Sequence, residues 1–101
     1  MIVVDNASRA AEFERLQRVC PEATVLRSEE NLGFACANNL GYKNSAGDYL
    51  LFLNPDTELL GPAINLMLEQ ARMLPGAGIV GCKLLNTDHS VQLSSIQKFP
   101  T

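Results

Sequence analysis

The stretch Tyr49-Leu50-Leu51-Phe52-Leu53-Asn54-Pro55-Asp56-Thr57 decides how this chain is read. Apolar residues run unbroken from Tyr49 to Leu53 and then stop at a polar turn carrying one carboxylate. A short continuous apolar run suits a strand covered on both faces, as in a parallel sheet. Asn54-Pro55 then ends the ladder, because proline has no N–H to donate and restricts the residue before it. Asp56 is therefore expected just past the carboxyl end of a buried strand, the edge along which open α/β sheets take ligands. Upstream, Ile2-Val3-Val4 followed by Asp5-Asn6-Ala7-Ser8 repeats the pattern. Two strand-end acids in one small chain imply a site for a polar, phosphorylated ligand.

Strands and helices alternate around these two stretches. Residues 2–5 are expected as a strand. Residues 8–19 follow as a helix, capped by Ser8, with Ala10, Phe13, Leu16 and Cys20 at spacings of three and four. Residues 23–26 are a second strand. A loop at 28–33 leads to a helix over 34–45, and 46–48 turn the chain into the strand at 49–53. Gly61-Pro62 opens another helix, with proline where the first turn permits it. Its inner side is marked by Ala63, Leu66, Met67, Gln70, Ala71 and Leu74, and Pro75-Gly76 ends it. Residues 79–85 are strand-like, and Val91-Gln92-Leu93 returns after a polar turn to form a hairpin with 82–85. The tail 96–101 brings no closing element. This order predicts βαβ units and a largely parallel sheet flanked by helices.

Composition bounds the function. The chain has 101 residues, 47% of them apolar and 19% charged, which suits one globular domain with a modest core. A net charge of −3 and the lack of a basic run argue against nucleic acid as a partner. The apolar runs fall far short of the ~20 residues of a membrane span, and no secretion leader opens the chain. Cys20, Cys36 and Cys82 are widely spaced, an odd set without zinc-ligand spacing, and are expected as buried, reduced thiols in a cytoplasmic protein. His89, the one histidine, lies in a turn without a serine or cysteine partner.

Four blocks, in order, resemble inverting glycosyltransferase family 2, and its rhamnosyltransferase-like branch in particular. They are Ile2-Val3-Val4-Asp5-Asn6-Ala7-Ser8, the run from Asn31-Leu32-Gly33-Phe34 through Asn38-Asn39-Leu40-Gly41, the run from Gly47-Asp48 through Asn54-Pro55-Asp56-Thr57-Glu58, and Gly78-Ile79-Val80-Gly81-Cys82-Lys83-Leu84-Leu85. Asn-Pro-Asp alone is a common turn; the ordered set is specific and covers essentially the whole chain. The resemblance implies a nucleotide-diphospho-sugar transferase of Rossmann-like GT-A fold. Residues 1–101 would form a single, partial domain of it.

Carried onto this sequence, the resemblance makes Asp56 the last acid of a D-x-D-like metal motif whose first position is Asn54. Mg²⁺ or Mn²⁺ prefers oxygen ligands and bridges a carboxylate to a diphosphate. Against that stands Asp56 as a cap for a short turn. Asp5 resembles the strand-end acid that contacts the base or ribose, through acceptance from an imide N–H or a hydroxyl; the bland alternative is a helix-start residue. Asn31, Gly33 and Asn38 border the nucleotide pocket in the family. Gly33 also allows a tight turn, Asn31 side-chain-to-backbone bonds, and Asn38 either a phosphate contact or a water-facing position. The implied partners are a dTDP- or UDP-sugar donor and a glycan or lipid-linked acceptor at the inner face of a membrane.

Two expected parts have no match. A family strand ending in a Thr-Tyr-Asn-like turn precedes the first block and lies between the strands equivalent to 2–5 and 49–53. An acidic base that takes the acceptor proton follows the last block. The chain is therefore expected to hold donor and metal motifs without a catalytic base, to be weakly active or inactive alone, and to self-associate through open strand edges. The other readings are a non-catalytic nucleotide-binding module and a small α/β interaction protein.

Overall fold

The computed structural model describes residues 1–93. Strand β1 (Ile2–Asn6), helix α1 (Ala10–Val19), strand β2 (Thr24–Ser28), helix α2 (Gly33–Lys43) and helix α3 (Ala63–Met73) follow in order. The chain divides after Asn54 into two compact units. The first is a βαβ unit followed by α2. β1 and β2 run parallel, in a register from Ile2 opposite Thr24 to Asn6 opposite Ser28. This is the α/β architecture of a partial GT-A domain, with a parallel sheet between helices.

Strand alternation assigns the faces. Val4 faces α2, where a Cβ on Gly41 would lie 3.3 Å from Val4 Cγ2. Gly41 thus lets the helix backbone approach the strand closely. Asp5 and its register partner Arg27 lie on the opposite face, where Phe13 of α1 packs on the Arg27 guanidinium. Phe13, Leu16 and Cys20 are half-buried, as their spacing predicts, but Ala10, the remaining residue of that set, is exposed.

α1 starts later than expected. Ala7 takes a left-handed φ of 68°, and Arg9, not Ser8, occupies the cap position. The turn at Ala7 moves the first helical residue to Ala10, beyond the reach of the Ser8 hydroxyl. In place of a hydroxyl cap, the Arg9 backbone N–H donates to Glu12 Oε2 at 3.3 Å, and the Arg9 guanidinium donates to Glu12 Oε1 at 2.7 Å. That contact holds the Glu12 carboxyl below its ordinary range and the Arg9 guanidinium above its own.

Residues 49–53 do not form the expected strand. Leu50 to Leu53 remain 44–59% exposed and make no backbone hydrogen bond among the described residues. A strand exists only as part of a ladder, and no described strand lies beside this run. The expected core is also absent: among the described residues no apolar side chain is buried, and Asp5 alone falls in the buried class. Cys20 is half-buried, and Cys36 and Cys82 are exposed, so the thiols are free but not interior as expected. A thiol is shielded only when apolar layers close over it, and no such layer closes here.

In the second unit, Pro62 precedes α3 and the half-buried positions are Ala63, Met67, Leu68 and Ala71, narrower than the expected stripe. Leu66, Gln70 and Leu74 are exposed. The hairpin is reduced to one antiparallel bridge, Leu85 with Val91, flanked by Gln92 N–H to Leu84 O at 2.9 Å. Its turn is tied by Asp88, whose Oδ1 accepts from the Ser90 hydroxyl at 2.6 Å and the Ser90 N–H at 3.0 Å. His89, exposed with φ 65°, sits at the tip. The tail at 96–101 lies outside the described residues.

Two outcomes follow from these contacts. Gly41→Val forces a branched side chain against Val4 and is expected to destabilise the first unit by about 1–3 kcal/mol in urea unfolding. The hydrogen bonds from Ser90 hold the Asp88 carboxyl below its ordinary value. A depressed carboxyl contributes stability that is complete above its unfolded pKa and lost as pH falls through the folded one. The Ser90 amide resonance should accordingly stay constant at neutral pH and move only below the usual aspartate range.

Candidate functional site

The carboxyl ends of β1 and β2 carry the polar side chains that matter. Asp5 ends the apolar part of β1 with its side chain only 4% exposed. Its Oδ2 is buried and has no hydrogen-bond partner. Arg27 Nε lies 3.7 Å away, close enough for an ion pair but too far for a hydrogen bond. The Arg27 guanidinium carbon sits 4.3 Å from the centre of the Phe13 ring, in cation–π range. Next to this pair a crevice of about 370 Å³ is lined by Ala7, Ser8, Arg27, Ser28 and Glu29.

A second group joins the end of β1 to the start of α2. Asn6 Oδ1 accepts from the Leu32 N–H at 2.7 Å, and Asn6 Nδ2 donates to Asn31 Oδ1 at 3.0 Å. The same Asn31 oxygen accepts from the Gly33 N–H at 2.9 Å. Gly33 has φ 75°, a conformation that a Cβ would strain. Asn31 and Gly33 thus shape the loop that begins α2. Asn38, half-buried, donates to the Phe34 carbonyl one turn back at 3.0 Å, which occupies its amide within its own helix.

Asn54 and Asp56 stand on either side of Pro55, in the turn at the boundary between the units. Asp56 is exposed and engages no hydrogen bond or ion pair among the described residues. Its oxygens are free for a ligand. No group of three or more His, Cys, Asp or Glu side chains among the described residues could hold a metal ion. The donor at Asp56 is the hard oxygen type that Mg²⁺ and Mn²⁺ prefer, but one carboxylate fills one coordination position. A cation there needs oxygens from the ligand itself.

Sequence reading brought Asp5 to this site but missed Asn6 and Arg27. Asn6 stands in the polar stretch after Ile2-Val3-Val4, where residue type alone assigns it no partner. Arg27 lies one residue past the strand expected at 23–26 but inside β2 as formed. A cation following Val25-Leu26, one βαβ unit after Asp5, is the signal that could have found it.

The amino-acid sequence has parallels among known proteins. The sequence model of Glycosyl transferase family 2 matches residues 1–98. The chain belongs to that family. The O-antigen biosynthesis protein RfbC of Myxococcus xanthus is 33% identical over 98 residues, which are 95% of this chain and 8% of that protein. A protein of Haemophilus influenzae named as a glycosyltransferase is 29% identical over 90 residues, 85% of this chain and 30% of its own length. The protein y4gI of Sinorhizobium fredii is 28% identical over 100 residues, 95% of this chain and 11% of that one. The chain thus spans less than a third of each of these relatives. No solved structure matches. Among the described residues no helix is long and apolar enough to cross a membrane.

Asn6→Ala removes both ties to the α2 loop and leaves the half-buried Leu32 N–H unsatisfied. A loss of about 1–2 kcal/mol is expected, with faster hydrogen exchange at Leu32 and Gly33 than at the amides of α1.

Proposed function

We propose that this chain forms the donor-binding part of a family 2 glycosyltransferase, which transfers a sugar from a nucleoside diphosphate to an acceptor hydroxyl with inversion. Family membership supports glycosyl transfer in general. The observation that carries the finer reading is Asp5: a carboxylate at the carboxyl end of a parallel strand, buried, with an oxygen that lacks a donor. Leaving such an atom unpaired costs about 1–3 kcal/mol. A nucleotide's imide N–H or ribose hydroxyl is a donor of the right kind, and engaging it requires the cover over Asp5 to shift.

The reaction is a single displacement. The acceptor oxygen attacks the anomeric carbon from the face opposite the diphosphate, and the carbon–oxygen bond to the diphosphate breaks. The bonding electrons leave with the nucleoside diphosphate, and the hydroxyl proton passes to a base that no residue of this chain is assigned to supply. Asp56 would hold Mg²⁺ or Mn²⁺ against the diphosphate oxygens. When bound, the cation supplies Lewis-acid stabilisation of the departing charge. Asn54 shapes the same turn. Asn31 and Gly33 hold the loop at α2, and Asn38 acts from inside the helix. The printed name of the Myxococcus xanthus relative supports a polysaccharide acceptor, which for this chain would be a glycan or lipid-linked chain met at the membrane surface. dTDP- and UDP-sugars are the expected donors.

Calorimetric titration of the full chain with UDP and dTDP, with and without Mn²⁺, tests this reading. Metal-dependent binding is expected, with Asp56→Asn weakening it by about tenfold or more, the scale of a charge-assisted contact. A folded sample that binds neither nucleotide with metal present overturns the proposal.

A further inference from the structure

Where the β1–β2 ladder ends, the two strands part. After Asn6 the backbone turns through Ala7, whose left-handed φ of 68° is disfavoured for any residue with a Cβ. After Ser28 it runs into the loop that starts α2. The crevice opens between them, with Ala7 and Ser8 on one wall and Arg27, Ser28 and Glu29 on the other. Past the ladder, the hydrogen bonds that cross from the turn at 6–9 to the loop at 28–33 among the described residues are the two made by the Asn6 side chain. Their sense is fixed by the backbone. Leu32 and Gly33 each present an N–H, which can only donate, so Asn6 Oδ1 at 2.7 Å and Asn31 Oδ1 at 2.9 Å are the acceptors. That leaves Asn6 Nδ2 facing Asn31 Oδ1 at 3.0 Å, donor to acceptor. The Ser28 hydroxyl, by contrast, is engaged within its own loop, on the Glu30 carbonyl at 2.7 Å.

We propose that Asn6 is a positioning residue for donor binding: its amide clips the two walls of the crevice together, so that the cleft is set before a nucleotide enters. The inference rests on the donor-site reading above and adds a residue that acts through the loop, without touching the ligand. A loop ordered in advance needs no ordering on binding. A strained residue such as Ala7 persists where its neighbours hold it, and such residues gather at ligand sites. Without the clip, the two walls are joined only through the ends of their strands, and binding has to order the cleft as well. Asn31 is the far end of the clip, with its side-chain oxygen shared between Asn6 and Gly33. The amide at Asn6 is not interchangeable with a carboxylate, because one short side chain has to accept from Leu32 and donate to Asn31 together.

The test is calorimetric titration of the full chain with UDP and Mn²⁺ for the wild type, Asn6→Ala, Asn6→Asp and Asn44→Ala, with circular dichroism to check folding. Asn6→Ala is expected to weaken UDP by about tenfold, the equivalent of two neutral hydrogen bonds, and Asn6→Asp at neutral pH by about fivefold. Asn6→Asp keeps the acceptor for Leu32 but sets a carboxylate oxygen against Asn31 Oδ1, which the Gly33 N–H holds in place. Acidification through the carboxylate range protonates that oxygen, which then donates again. The gap between Asn6→Asp and the wild type should therefore close, while that of Asn6→Ala stays open. Comparison with the wild type at each pH removes the titration of Asp5, Glu29, Glu30, Asp56 and the diphosphate, which all four proteins share. Asn44 donates to the Leu40 carbonyl at 2.9 Å at the other end of α2. Asn44→Ala removes a bond of the same kind and is expected to change affinity by less than about twofold. Equal weakening by Asn44→Ala overturns the proposal, since Asn6 would then matter only through the stability of the unit. A folded Asn6→Ala with wild-type affinity overturns it too, as does an Asn6→Asp deficit that acid does not relieve. If Asn6→Ala does not fold, Asn6→Asp decides by the same pH criterion. If the wild type binds no nucleotide, the donor-site reading fails and takes this one with it; if it binds and the Asn6 variants bind alike, this one fails alone.

Discussion

The parallel pairing of β1 with β2 is the interaction from which the first unit is built. A parallel pair needs a crossover, and α1 provides it. The register then fixes which side chains meet: Val4 turns to α2 and Gly41, while Asp5 comes level with Arg27 on the face that Phe13 covers. A shift of one residue would send every one of these side chains to the opposite face. The polar end of the ladder follows from the same register. Asn6 reaches the loop before α2 because it alternates away from Asp5.

The apolar run at 49–53 shows the limit of that ladder. Its composition is that of a central strand, yet it forms no strand and stays exposed among the described residues. Apolar side chains alone do not make a strand, because backbone N–H and C=O groups need partners in register. The same lack of a closing layer leaves Asp5 as the one buried residue among those described, an inversion of the usual apolar interior. The buried carboxylate faces the Arg27 guanidinium at 3.7 Å, and that guanidinium in turn packs on the Phe13 ring. Among the described residues no packed apolar core encloses the carboxylate.

Much of the fold and part of the site were legible in the sequence. β1, α1, β2, α2 and α3 lie within a few residues of where periodicity, Pro62 and Gly33 put them. These signals are local, and local geometry decides them. Four blocks in order carried the family, and Asp5 stands at the end of a strand as the polar turn after its apolar run implies, whereas Asp56 follows a run that forms no strand. Asn31 and Asn38 each use side-chain atoms to bond backbone nearby. Asparagine serves loops and ligands with the same amide, so the sequence leaves both open.

The sequence by itself determined the alternation of strand and helix, the placement of acids after apolar runs and the family, because each depends on residue type and spacing along the chain. Only the tertiary structure decided that Arg27 stands beside Asp5, that Asn6 ties β1 to the α2 loop, and that 49–53 forms no ladder. Those outcomes depend on register and on which strand has a neighbour, and both are set between segments that are distant in the chain.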